Sequence, residues 1–156
     1  MSKKRPADDS ACRNRKASFR YEILETIECG IVLVGTEVKS LRNRDASLDE
    51  AFARIDGDEL WLIDFHIAPY AFGPVAGHNP KRRRKLLVHA RELARLRPKV
   101  EQKGQTLVPL RVYFNARGIA KVSLALGKGK RLTDKRQSMK AREQNREIQR
   151  AMQRKR

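Results

Sequence analysis

The chain is poor in acid, in aromatic residues and in cysteine, and each shortage removes a class of protein. Only 18 Asp and Glu stand against 36 Lys and Arg, giving a formal charge of +18 and a pI near 10.7. That balance disfavours cationic partners and points to a polyanion. With aromatics at 6%, Val, Ile and Leu must fill most of any core. The two cysteines, Cys12 and Cys29, have no C-x-x-C spacing, which leaves free thiols and no disulfide framework. His66, His78 and His89 lack the short spacing of zinc ligands, so neither metal nor cofactor is expected. No apolar run approaches the ~18 residues of a membrane span, and residues 1–20 lack the apolar stretch of a signal peptide. A soluble, cytoplasmic protein without a membrane partner is expected.

Catalysis is also poorly served. Glu25 with Glu28, and Asp56 with Asp58, are close neighbours on predicted strands and a hairpin, where carboxylates are usually solvated. The run Gly127-Lys128-Gly129-Lys130-Arg131 lacks the phosphate-loop pattern and reads as a flexible basic hinge. The chain is read as a non-enzyme.

What is present is one domain's worth of sequence, 156 residues with 40% hydrophobic content, and an uneven charge. From Gly127 to Arg156 twelve Lys and Arg face three acids, so half of the net charge sits in this segment. Three parts follow: a flexible basic N-terminal arm over 1–18, a body over 19–126, and a basic tail over 127–156.

Within the body, Phe19 to Ile27 and Ile31 to Val34 predict two strands around a turn at Gly30. Thr36 to Arg42 places Val38 and Leu41 on one helical face, and Ser47 with Glu50 has the capping-box spacing of a helical turn. Ala51 to Ile67 around Asp56-Gly57 is a hairpin signal, because that dipeptide accepts positive φ. Residues 68–80, with three prolines and two glycines, read as loop. From Arg83 to Arg97 the apolar residues recur at helical spacing, and Pro98 follows. A second hairpin turns at Asn115-Ala116-Arg117-Gly118, with Pro109 at a bulge or edge. About six strands with marginal helices make an OB-fold barrel the leading candidate.

Two basic runs carry their own signals. Lys81 to Lys85 would put five cations at a helix start, against its dipole, so either a bound anion relieves the conflict or the run is solvated. A helix from Asp134 to Arg156 would be roughly 34 Å long, with Lys135, Arg136, Arg142, Arg146, Arg150 and Arg154 within an arc of ~120°. Its i,i+4 arginines repel, partly offset by Glu143 and Glu147, so the tail either folds on nucleic acid or stays disordered as a solubilising segment.

Several segments resemble one family. Asn14-Arg15-Lys16-Ala17, Gly30-Ile31-Val32-Leu33, Gly35 to Arg42, His66 to Tyr70, Arg84 to His89, and Gly129-Lys130-Arg131 through Asp134-Lys135-Arg136 are similar to the SsrA-binding protein (SmpB) family, in order from about residue 13 onward. The resemblance implies an OB-fold barrel with flanking helices and a basic tail, disordered when free. Such a protein binds the tRNA-like domain of transfer-messenger RNA (tmRNA) and brings it to stalled 70S ribosomes for trans-translation, as a monomer on the RNA. It further implies RNA-binding positions at Asn14, Lys16, Glu28, Leu87 and His89, to which the basic residues Lys39, Arg84 and Lys85 of the matching segments are added. Gly129, Lys130, Arg131, Asp134, Lys135 and Arg136 are implied to enter the decoding centre and mRNA channel as a helix, continued by Arg142, Arg146 and Arg150. Arg131 stands for a usual lysine and Cys29 for a usual alanine, while residues 72–83 match loosely and receive no role. Two rival readings remain: a ribosomal or ribosome-assembly OB-fold protein, and an RNA-processing nuclease, for which the carboxylate cluster or histidine pair cannot be placed.

Overall fold

The computed structural model describes residues 10–75, 77–130 and 132–154. In chain order these form β1 (Ser10–Arg13), α1 (Ala17–Arg20), β2 (Tyr21–Ile31), α2 (Gly35–Arg42), β3 (Ala46–Ser47), β4 (Phe52–Asp56), β5 (Glu59–Ile63), β6 (His66–Ile67), β7 (Arg84–Leu87), α3 (Ala90–Glu101), β8 (Thr106–Phe114), β9 (Ala120–Gly129) and α4 (Leu132–Arg154). Six strands close antiparallel into a ring in the order β8, β4, β5, β7, β2, β9 and back to β8. This is the barrel with flanking helices that the pattern predicts. β1 adds to the edge of β8, while β3 and β6 form a small separate ladder.

Closure depends on β8, which serves three neighbours. Its early part meets β4 where Leu107 pairs with Ala53, and its later part meets β1 at Arg111 to Tyr113. Between them the ladder to β9 shifts register from Pro109 to Arg111. A proline has no N–H to give a ladder, and here it occupies the irregular step where the strand changes partners. Inside the ring, Leu60, Leu62, Leu107, Val112, Val122 and Leu124 are buried, joined by Leu41 from α2, Leu96 from α3 and Phe65. Aliphatic side chains thus make most of the core, as the composition requires. Cys12 and Cys29 are free and buried, and burial pushes their thiols up to about 11 and about 12, away from nucleophilic reactivity.

Both hairpins turn where expected. Asp56 pairs with Glu59 around Gly57, whose φ is +60°. At the second, the Asn115 side-chain oxygen accepts from the N–H groups of Arg117 and Ile119, and Gly118 takes φ +75°.

Other expectations are corrected. The arm expected over 1–18 is ordered from Ser10, because β1 pairs with β8 and buries Ala11 and Cys12; residues 1–9 lie outside the described residues. Gly30 is not a turn: β2 runs through it, paired with Leu87 on one side and Lys121 on the other. A Cβ there would meet the Leu87 Cβ at 3.2 Å, so the glycine serves close strand approach. Ser47 lies in β3 opposite His66, and its hydroxyl accepts from the Asp49 N–H at 3.3 Å, closing a turn rather than a helix.

The helix predicted from Arg83 is a strand followed by a helix. Arg84 and Leu86 point inward while Lys85 and Leu87 point out, a period of two that an inward arginine disguises. α3 begins only at Ala90 and continues through Pro98, whose missing donor faces the carbonyl of the exposed Ala94. Of the presumed hinge from Gly127 to Arg131, Gly127 to Gly129 belong to β9: Gly127 pairs with Ile23 and Gly129 with Tyr21, and the Lys130 N–H donates to the Arg20 carbonyl at 3.0 Å, while Arg131 lies outside the described residues. The tail, expected to be disordered in the free chain, is helical over Leu132–Arg154. It touches the body where Arg142 donates to the Ser18 hydroxyl at 3.1 Å and lies 6.0 Å from the Phe19 ring centroid.

Candidate nucleic-acid interface

The register of three adjacent strands determines which side chains share the outer face. Cys29, Val122 and Val112 form one buried row across β2, β9 and β8. Successive residues alternate sides, so the rows flanking it face outward. One row is Glu28, Ser123 and Arg111; the other is Gly30, Lys121 and Tyr113, extended onto β7 by Leu87 opposite Gly30.

These rows are linked by contacts. The Tyr113 hydroxyl donates to Glu28 Oε2 across β9, and the Arg111 guanidinium stacks 4.4 Å from the Tyr113 ring centroid. Partial burial and the Glu28 carboxylate push the Tyr113 phenol up to about 12, so it remains a donor throughout the physiological range. Beside Glu28 the surface sinks into a depression of about 390 Å³, lined by Glu28, Gly30, Leu87, His89, Ile119 and Lys121 among others. His89 stands at its rim because it holds the position just before α3, soon after β7 ends. Three expected site residues, Glu28, Leu87 and His89, are thereby brought together from distant parts of the chain.

Arg111 and Ser123 also line a second depression of about 620 Å³ with Arg13, Asn14 and Arg15. One outer surface therefore runs from Asn14 to His89. Asn14 is fixed there because its backbone N–H donates to the Leu110 carbonyl at 2.8 Å and its side chain to the Pro109 carbonyl at 3.1 Å. The Asn14 side-chain oxygen is buried without a partner among the described residues. Lys16, exposed at the start of α1, stands beside this end.

Three further expected residues are placed differently. Arg84 is fully buried and pairs with the equally buried Glu37; it also donates to the Phe65 carbonyl and, at 3.2 Å, to that of Pro80. No RNA can reach it, and its role is to tie β7 to α2. Burial alone would raise the Glu37 carboxyl, but hydrogen bonds from Arg82, the Val34 N–H and Arg84 outweigh it and hold the group below the usual carboxylate range. Lys39 lies exposed on α2, 5.3 Å from the Tyr70 ring centroid. Lys85 faces outward on β7 but is paired with Glu59 at 3.2 Å.

The remaining polar groups resolve into structural contacts. His78, expected to be exposed, is half-buried: Nε2 meets the Ile67 carbonyl at 2.9 Å and Nδ1 the Thr36 hydroxyl at 2.9 Å. A carbonyl only accepts, so Nε2 carries the hydrogen and Thr36 donates, pinning the loop to α2. Of the carboxylates read as solvated, Asp56 and Asp58 are exposed, at 3.5 Å from Arg83 and 3.4 Å from Arg97, whereas Glu25 is half-buried and engaged by Arg95 and Lys99.

On α4, Arg136, Arg142, Arg146 and Arg150 are exposed and Lys135 is half-exposed. Lys130 donates to the Ser138 hydroxyl at 3.0 Å, tying the end of β9 to the first turns of the helix. Arg131 and the side chain of Asp134 lie outside what the structure describes. Sequence reading missed Arg111, Tyr113, Lys121 and Ser123. Their signal was the strand alternation itself, which gives two faces but becomes a site only once Glu28 supplies the phase across neighbouring strands.

Comparison with known proteins identifies the family. The SmpB protein family model matches residues 11–154. SsrA-binding proteins from Chelativorans sp., Rhodopirellula baltica and Moorella thermoacetica are 53%, 50% and 55% identical, covering 86%, 98% and 89% of this chain and 86%, 87% and 90% of their own lengths. A solved structure described as "tmRNA-SmpB: a journey to the center of the bacterial ribosome" superposes with a TM-score of 0.65 at 56% identity, over 77% of this chain and 84% of that one. The chain therefore belongs to the SmpB, or SsrA-binding protein, family.

Proposed function

We propose that this chain binds the tRNA-like domain of tmRNA through the outer surface running from Asn14 to His89, and delivers that RNA to stalled ribosomes for trans-translation. The observation that supports this most directly is the convergence of Glu28, Leu87 and His89 on one depression, in a chain of the SsrA-binding family. Lys121 lines this depression, Arg13, Arg15 and Arg111 line the neighbouring one, and these cations suit phosphates while a few polar and apolar groups remain for bases. Gly129, Lys130 and the arginines of α4 extend toward the decoding centre and the empty mRNA channel, where ribosomal phosphates relieve their mutual repulsion. The body, from Ser10 through β9, and the tail helix divide the work between tmRNA and ribosome. The chain acts by binding and performs no catalytic step; its workplace, the ribosome, is cytoplasmic.

The test is a gel-shift titration with the tRNA-like domain of tmRNA, in excess tRNA competitor, across a salt series. Tight binding that survives the competitor with a moderate salt slope is the expected result. Binding that collapses alike for every RNA as salt rises overturns the reading and favours a generic ribosomal RNA binder.

A further inference from the structure

Glu28, with Glu92 in the same depression, is an anion on a surface where Arg111 and Lys121 offer cations to a polyanion. A carboxylate there repels any phosphate brought close, so its retention at the centre of the face asks for a hydrogen-bond donor as its partner. Tyr113 supplies one donor to Oε2, while Oε1 has no partner among the described residues. The carboxylate is thus held in place with acceptor capacity to spare, at the edge of a depression of about 390 Å³, a volume in the range of small-ligand sites. Leu87 and Ile119, 52% and 50% exposed, leave apolar walls uncovered there. Gly30 contributes backbone without a side chain, and Lys121 and Glu92 bring one cation and a second carboxylate to the same depression.

Apolar walls, a fixed carboxylate and a nearby cation are complementary to one nucleotide of unpaired RNA. The walls take the faces of the base, the carboxylate its edge, and the lysine its phosphate. Base chemistry then selects among the four. Guanine alone presents two adjacent donors, N1–H and the 2-amino group, on its Watson–Crick edge. Adenine and cytosine place a ring-nitrogen acceptor there, and uracil flanks its single donor with carbonyl oxygens, all of which meet a carboxylate unfavourably.

Resting on the tmRNA reading above, the geometry points to a guanine-selective base site: the Glu28 depression receives an unpaired guanosine of the tRNA-like domain, with Tyr113 as the positioning residue that aims the carboxylate. Nothing in the family match assigns a base to this position.

The experiment measures binding of two RNAs, the tRNA-like domain with ordinary guanosine and the same RNA with inosine replacing its unpaired loop guanosines. Inosine keeps N1–H and lacks the 2-amino group. The wild-type chain is expected to bind the inosine RNA about tenfold more weakly, the scale of a bidentate base contact. Glu28→Gln, which keeps an acceptor for Tyr113 and so preserves the fold, is expected to bind the guanosine RNA about tenfold more weakly and to lose the distinction between the two RNAs. Tyr113→Phe is expected to retain part of the affinity with a smaller guanosine preference. If Glu28→Gln binds as tightly as wild type or more tightly, the carboxylate only repels phosphate and the site is overturned. A wild-type chain that prefers the tRNA-like domain over tRNA yet binds both versions equally overturns the guanine site alone. A chain without that preference overturns the functional reading as well.

Discussion

The barrel and the tail helix solve opposite problems with the same alphabet. In the barrel the apolar side chains of six ring strands converge on one interior, and each strand's position depends on partners far away in sequence. In α4 the described side chains from Met139 to Arg154 are all exposed, including Ile148 and Met152. A helix with no buried face draws its order from local propensity and from whatever charge surrounds it. The barrel can therefore present a surface of fixed geometry to one partner. The tail presents a rod of charge whose stability responds to its environment, which suits a segment that must enter a second partner.

The sharpest way to separate the two regions is to remove one. Ending the chain at Lys130 keeps β9 intact, and tmRNA affinity is expected to stay within about threefold of wild type at moderate salt, while peptide tagging on stalled ribosomes is lost entirely. Parallel loss of both functions would show that the division is false. Cutting earlier, at Gly127, would confuse the test by removing the pairs with Tyr21, Glu22 and Ile23.

Next in size is a break inside the body. Arg84→Ala leaves Glu37 buried with part of its ion pair gone, and a loss of about 3–5 kcal/mol in denaturant unfolding is expected. A loss below about 1 kcal/mol would mean that β7 does not depend on α2. The same pair sets an acid limit. Glu37 is held below its unfolded value, so it contributes stability above the ordinary carboxylate range near pH ~4.3, lost as pH falls through its lower folded value. Glu37→Gln should lower the melting temperature above pH ~6 and flatten the acid arm of the thermal-stability profile, because the variant has no such contribution left to lose on acidification.

Charge reversal on the outer face is expected to act on binding and not on folding. Glu28→Arg exchanges an acceptor for a donor and breaks the Tyr113 contact at an exposed position. Gel shifts should show tmRNA binding weakened by about tenfold or more with the melting temperature nearly unchanged, and ordinary binding would relocate the RNA face. The smallest effect belongs to the tail. Arg146→Glu replaces repulsion toward Arg142 and Arg150 with attraction, about 0.2–0.5 kcal/mol per pair, visible as a small gain in helical circular dichroism at low salt that fades as salt is added.

Some of this architecture is legible because it is local. Gly57 and the Asn115 to Gly118 turn announce both hairpins by their tolerance of positive φ, Pro109 marks the irregular step, and Gly35 to Arg42 reads as a short helix. The segment Arg84 to Leu87 was misread because a buried arginine hides a strand's alternation, and only the carboxylate of Glu37, far away in sequence, makes that burial tolerable. Gly30 was read as a break because a glycine's close neighbour cannot be seen until Leu87 is in place. The candidate site divides the same way: Glu28, Leu87 and His89 came from family resemblance, whereas Arg111, Tyr113, Lys121 and Ser123 needed the strand register.

By itself the sequence determined the polyanionic partner, the aliphatic core, the barrel class and the concentration of charge in the tail, since composition and short-range periodicity carry each of these. Tertiary structure alone decided that Arg84 is a clamp and not an RNA contact, that residues from Ser10 onward belong to the sheet, and that Glu28 faces Tyr113 above an open depression. The reason is physical: burial and strand register are set by segments that meet only when the ring closes, and no local stretch of sequence contains both partners.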